Sequence, residues 1–130
     1  MPAKILIADD SRSTRTTVRS LLDWHGFQVC GEAWNGKEAI EQVIALNPDI
    51  VVLDINMPVM SGTQAAVEIR RIAPHIKILF FTIHEAPELM SGLRAFAHGF
   101  VSKSAAGTEL IPALKRLAGT GTNIRPKRAT

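Results

Sequence analysis

Five short aliphatic runs recur along the chain, each followed by a stretch with helical spacing, and this alternation limits the possible folds more than any other feature. The runs are "KILIA" (4–8), "FQVCGEA" (27–33), "IVVL" (50–53), "KILFFT" (77–82) and "FVS" (100–102). Continuous apolar runs of this length suit strands covered on both faces, and parallel neighbours need crossover connections, which are right-handed. Strands alternating with helices therefore specify an α/β domain built on a parallel sheet with helices on both sides.

The intervening stretches carry their own start and stop signals. In "RSTRTTVRSLLDWHG", Val18, Leu21, Leu22 and His25 share a face, Ser11 can cap the start and Gly26 can end the helix. "GKEAIEQVIALNP" turns Ala39, Ile40, Val43, Ile44 and Leu46 inward and stops at Asn47-Pro48. "SGTQAAVEIRRIAP" does the same through Ala66, Ile69 and Ile72. "APELMSGLRAFAHG" and "GTELIPALKRLAG" predict a fourth and a fifth helix, each closed by glycine. Pro112 falls near the first turn of the last one, where its missing N–H leaves the boundary open.

At 130 residues and 46% apolar composition the chain suffices for one domain with an ordinary core. No window approaches the ~18 uninterrupted apolar residues of a membrane span, and "MPAKILIADD" runs into acids where a signal peptide needs a longer apolar stretch, so a soluble cytoplasmic protein is expected. One cysteine, Cys30, allows neither an intramolecular disulfide nor a thiolate metal cluster. The net charge of +3 resides in Arg125, Lys127 and Arg128, since residues 1–124 hold twelve Lys and Arg against twelve Asp and Glu. A tail of three charges without aromatic residues gives only weak, salt-sensitive attraction to phosphates, so direct DNA binding by this chain is not expected.

In a parallel sheet all strand carboxyl ends lie on one edge, where ligands bind. Asp9 and Asp10 follow the first run, Asp54 the third, Thr82 ends the fourth and Lys103 follows the fifth. Taken singly, such acids are ordinary helix or turn caps and such a lysine is ordinarily solvated; together they form a polar constellation on one rim. Three carboxylates so gathered repel one another and need a positive partner. Mg²⁺ suits them, because it takes one or two carboxylates, a carbonyl and waters, whereas zinc would call for thiolates or paired histidines. With a metal in place, one carboxylate can act as nucleophile toward a phosphoryl group, Lys103 can neutralise an oxygen and Thr82 can donate a hydrogen bond.

From Lys4 to about Leu117 the sequence resembles the receiver domains of bacterial two-component response regulators, through "ILIADDS", "DIVVLDINMPVMSG", "ILFFT" and "GFVSK". In feel it is similar to the receivers of LuxR/FixJ-type regulators. The resemblance implies a flavodoxin-like, doubly wound five-stranded parallel sheet of order 2-1-3-4-5 with five helices. It implies that Asp54 is phosphorylated by a histidine kinase or phosphotransfer protein, that Asp10 touches Mg²⁺ directly and Asp9 through water, and that the Asn56 backbone carbonyl is a further ligand. It also implies that Thr82 moves toward the phosphoryl group while Phe100 turns inward, changing the face of the fourth helix, fifth strand and fifth helix. By the residues alone, Phe100 reads rather as a static core ring.

Two features vary within that pattern. Ser104 follows the lysine where many members have proline, and a trans bond is expected, because a non-proline cis bond costs about 3 kcal/mol. Asn56 and His84, each two residues past a site residue, match the pair that flanks the phosphorylation site and are assigned to tuning phosphoryl lifetime. Residues 1–118 are expected to form the receiver and 119–130 a basic tail or linker. The output is either docking of the switch face on a protein partner or on a second copy, or, alternatively, the receiver belongs to a DNA-binding transcriptional regulator. A phosphatase of the haloacid-dehalogenase type fits less well, since Asn56 stands where it needs a second acid.

Overall fold

The computed structural model describes residues 2–83 and 92–119. Its elements run β1 (Lys4–Ala8), α1 (Arg12–Trp24), β2 (Gln28–Ala33), α2 (Gly36–Leu46), β3 (Ile50–Leu53), α3 (Gly62–Ile72), β4 (Lys77–Thr82), β5 (Gly99–Ser102) and α4 (Ile111–Gly119). The strands pair in parallel in the order β2-β1-β3-β4-β5, as the family resemblance implies. The first six residues of the fourth predicted helix, 86–91, lie outside the described residues; of the rest, Gly92 and Leu93 are helical and Arg94–Phe96 form a short 3₁₀ turn. What was predicted as the fifth helix is α4. Among the described residues no helix is long and apolar enough to cross a membrane.

Alternate residues of each strand feed two cores. Leu6, Ala8, Val51, Leu53, Ile78 and Phe80 face α2 and α3, while Ile5, Ile7, Val52, Leu79 and Phe81 face α1 and α4. Full burial of one such side chain contributes about 1.5–3 kcal/mol, so the two layers together supply the main stabilising term. The caps behave as their sequences require: Ser11 accepts from the Thr14 N–H, and Ser61 and Gln64 form a reciprocal capping box at the start of α3. Gly26, at φ +83, supplies the left-handed residue past α1.

Four expectations need correction. Ile44 is 69% exposed rather than inward, because it lies about 100° around α2 from Val43, beyond the buried stripe of Gly36, Ala39 and Val43. His25 is exposed and caps α1 with its backbone N–H instead of packing on its face. Phe27 precedes β2 instead of belonging to it, its N–H bonding back to Leu22 O. The last helical segment is not regular from residue 107: a 3₁₀ turn (Lys103–Ala105) and a π turn (Ala106–Leu110) precede α4. Pro112 is the cause we assign, since its ring crowds the carbonyl four residues back and a wider turn ahead of it relieves that crowding. All described peptide bonds are trans, including that of Ser104.

Candidate functional site

The third strand ends on Asp54 because the chain must fold back there. Gly62 N–H donates to Ile55 O at 2.7 Å, and a Cβ on Gly62 would lie 1.8 Å from the Asp54 carbonyl oxygen, so only glycine fits. The next loop locks on in turn: Gly36 N–H donates to Met60 O at 2.8 Å, and a Cβ on Gly36 would meet that oxygen at 2.4 Å. The sharp turn through Pro58 and Val59 carries Val59 at φ +68, a costly place for a β-branched residue and a sign of how firmly the surroundings hold the turn.

On the rim so formed, Asp9, Asp10 and Asp54 present carboxylate oxygens that all lie within 4.8 Å of one another. Asp9 is 2% and Asp54 5% exposed, Thr82 is buried at the end of β4, and Asp10 faces solvent. Lys103 enters from the end of β5, its Nζ 2.7 Å from Asp9 Oδ2 and 3.4 Å from Asp54 Oδ2. The structure thus brings four of the predicted rim residues together, the pair after β1, the acid after β3 and the lysine after β5, and places the fifth, Thr82, at the carboxyl end of β4, the strand between β3 and β5. Asn56 is exposed in the loop after Asp54, His84 lies outside the described residues, and Phe100 is half-buried on β5, its ring stacked on Phe80 at 5.6 Å between centroids.

The electrostatics follow from burial. Loss of water pushes the Asp54 carboxyl above its ordinary range, and the Asp9 charge adds to this, while Lys103 works against it. For Lys103, burial pulls the ammonium down, but hydrogen bonding to Asp9 and the charges of Asp54 and Asp9 outweigh it, so it is held above its usual value. One lysine cannot satisfy this cluster alone. Among the described residues Asp9 Oδ2 is buried with no partner but the Lys103 ammonium, 2.7 Å away. Three carboxylates without sulfur or imidazole donors form a set that can hold a hard cation, and their spread is close to the roughly 4.2 Å spanned by opposite ligands of octahedral Mg²⁺.

One residue close to this frame was not singled out by the sequence. Arg15, on α1, donates from Nη1 to Asp9 O at 2.7 Å and from Nε to Glu32 Oε1 at 3.0 Å. The trace of this in the sequence is an acid, Glu32, within a strand whose other residues past Gln28 are apolar or glycine.

Comparisons with known proteins agree with this geometry. The model of the response regulator receiver domain matches residues 5–115. Chemotaxis protein CheY of Thermotoga maritima is 34% identical over 119 residues, 91% of this chain and 99% of that protein. A LuxR-family two-component response regulator from Aurantimonas sp. superposes with a TM-score of 0.84 at 32% identity, covering 100% of this chain and 90% of that one. The CheX–CheY–BeF3–Mg²⁺ complex from Borrelia burgdorferi gives a TM-score of 0.85 at 25% identity, covering 91% of this chain and 90% of that one. Other curated relatives are longer: the chain spans 60% of response regulator GacA of Pseudomonas syringae and 27% of a protein-glutamate methylesterase of Alkalilimnicola ehrlichii.

Proposed function

The chain belongs to the response regulator receiver family, and we propose that Asp54 is its phosphoacceptor, phosphorylated in the presence of Mg²⁺ by the phosphohistidine of a histidine kinase or phosphotransfer protein. The observation that carries this reading is the convergence of Asp9, Asp10 and Asp54 within 4.8 Å, with Lys103 Nζ 3.4 Å from Asp54. The carboxylate of Asp54 attacks phosphorus, a P–O bond forms, the P–N bond to the donor imidazole breaks, and the imidazole leaves with the electron pair. Burial and the Asp9 charge raise the carboxyl of Asp54, and Lys103 opposes them, favouring the carboxylate that attacks. Asp9, Asp10, Asp54 and the Asn56 carbonyl would hold Mg²⁺, which when bound supplies positive charge against the phosphoryl oxygens. Lys103 then exchanges a carboxylate oxygen for a phosphoryl oxygen, and Thr82 donates its hydroxyl to another.

Phosphorylation works as a switch if one packing binds the new charge better. Phe100, stacked on Phe80 and half-buried, would turn inward as Thr82 shifts, and the surface of β5 and α4 would present the result to a partner protein or a second copy. Asn56 and His84 would set how readily water reaches the acyl phosphate. We place this exchange in the cytoplasm, where ATP feeds the kinases. Residues 1–118 would form the receiver and 119–130 a tail or linker. A second reading, a receiver belonging to a longer DNA-binding regulator, is favoured by the LuxR-family neighbour and by the greater length of GacA.

The test is acetyl phosphate with Mg²⁺ followed by mass spectrometry. Wild type should gain ~80 Da, one phosphoryl replacing a proton, and Asp54→Ala should gain nothing. A gain on both, or on neither, overturns the assignment.

A further inference from the structure

Arg15 stands outside the acid pocket, yet its side chain is only 12% exposed and its guanidinium is bonded on two sides. Nη1 reaches the Asp9 carbonyl, Nε reaches Glu32, and the guanidinium carbon lies 6.0 Å from the Trp34 ring centroid, within cation–π range. Arg19, one helical turn on, donates to the second Glu32 oxygen at 2.7 Å. The carboxyl of Glu32 is itself raised by burial, but the hydrogen bonds and charges of Arg19 and Arg15 outweigh this and hold it low, so the bracket stays ionised at neutral pH. Strand register puts it there: Glu32 pairs with Ile7 across β1–β2, on the face that α1 covers.

The bracket ends on the main chain of the acid turn. Asp9 N–H donates to Ala33 O at 2.9 Å, Asp9 O accepts from Arg15, and Asp9 Oδ1 accepts from Ser11 N–H at 2.8 Å. With its amide, its carbonyl and one carboxylate oxygen all tied, Asp9 has little freedom, and the peptide leading to Asp10 is aimed with it. A guanidinium beside three carboxylates can act in two opposite ways. As a bare charge it would repel an incoming cation, so its loss would tighten cation binding. As a directional donor it holds two of the ligands in place, so its loss would weaken binding.

We propose that Arg15, braced by Glu32 and Arg19, is a positioning residue that fixes the Asp9–Asp10 main chain so that both carboxylates meet a divalent cation. This rests on reading the acid cluster as the Mg²⁺ site of a phosphoacceptor. Groups that orient metal ligands from behind typically contribute 10–100-fold in affinity. Lysine cannot replace the fork, because a single ammonium does not span both a carbonyl and a carboxylate in that geometry.

The experiment is an MgCl2 titration of the full chain at fixed ionic strength, followed by the backbone amide shifts of residues 9–11 in ¹H–¹⁵N NMR spectra, which also report folding. Wild type, Arg15→Met, Arg15→Lys and Glu32→Gln are compared. Arg15→Met should weaken Mg²⁺ about 10-fold, Arg15→Lys should recover only part of this, and Glu32→Gln should lose a smaller factor. Should Arg15→Met fail to fold, the other two variants carry the comparison. Unchanged or tighter binding by Arg15→Met, complete recovery by Arg15→Lys, or no Mg²⁺ binding by wild type overturns the proposal. Acetyl phosphate labelling run alongside separates the two ideas: no ~80 Da gain on a wild type whose Mg²⁺ series behaves as expected sinks the phosphoacceptor reading alone. Normal labelling with a flat Mg²⁺ series sinks only the role of Arg15.

Discussion

The segments after β3 and after β5 deliver opposite sides of the pocket, and they are built in opposite ways. After β3, backbone meets backbone: Gly62 sits against the Asp54 carbonyl, Gly36 against Met60, and a capping box closes the turn. After β5, Lys103 opens a single 3₁₀ turn whose described ties are local, the Ser102 side chain accepting from Ser104 N–H and Ala106 N–H bonding to Lys103 O. A π turn follows, and Gly107 within it has open space where a Cβ would be. The two cores differ in the same sense. Among the described buried residues, six alanines line the one behind Asp54 (Ala8, Ala33, Ala39, Ala65, Ala66, Ala73), bringing α2 and α3 close to the sheet, whereas in the other only Ala113 is fully buried, with Ala3, Ala106 and Ala118 at its margin. The proposed phosphoacceptor is mounted stiffly, while the lysine, which under that proposal changes partners when phosphate arrives, is mounted on side chains that can re-pack.

The largest effect should come from forcing the stiff mount. Gly62→Ala places a methyl where the Asp54 carbonyl stands and is expected to lose at least about 3 kcal/mol in urea unfolding, whereas Gly107→Ala should be neutral or stabilising by up to about 1 kcal/mol. Equal costs at the two glycines would abolish the contrast. Next is Lys103→Met, which leaves two buried carboxylates facing each other; a loss of about 2 kcal/mol at pH 7 without metal is expected, shrinking when MgCl2 is added. Thermal unfolding with and without Mg²⁺ checks it, and a loss insensitive to Mg²⁺ would show that the lysine is a packing residue.

A smaller effect carries a pH signature. The folded state raises the carboxyl of Asp54 above its ordinary value of 3.8, first through burial and then through the Asp9 charge. The protonated form is therefore the favoured one: its contribution to stability is present below that ordinary value and is lost as pH rises through the higher folded value. Asp54→Asn should accordingly stabilise the metal-free protein at pH 7 by about 1 kcal/mol, the gain fading toward pH 4. A melting-temperature gain that did not vary with pH would contradict this origin. The finest comparison is between caps: Ser61→Ala should cost about 1 kcal/mol, and Ser102→Ala, which caps only a three-residue turn, a few tenths. Denaturant midpoints resolve both.

Much of this was legible in the residues. β1, β3 and β4 coincide with their aliphatic runs because each run is bounded by residues that water or a turn must receive, such as Asp9, Asp54 and the Asn47-Pro48 stop. Ser11 and Ser61 announced their helices through local hydrogen bonding. Ile44 was misread because periodicity reports that a helix has an apolar arc, not which part of a wide arc another element will cover. The π turn before Ile111 was hidden for a similar reason, since spacing does not distinguish a widened turn from a regular one. Arg15 left no local sign, as its role needs Glu32 set beside Ile7 by strand register and α1 laid across both.

By itself the amino-acid order determined the alternation of strand and helix, the parallel sheet and the set of polar groups assigned to its carboxyl rim, because period, capping and turn chemistry act over a few neighbours. Only the tertiary structure decided that Lys103 lies nearer Asp9 than Asp54, that Gly62 abuts the acceptor's own carbonyl, and that Arg15 holds the acid turn from behind. Those are distances between groups far apart along the chain, and they are set by how strand order, register and helix packing share one volume.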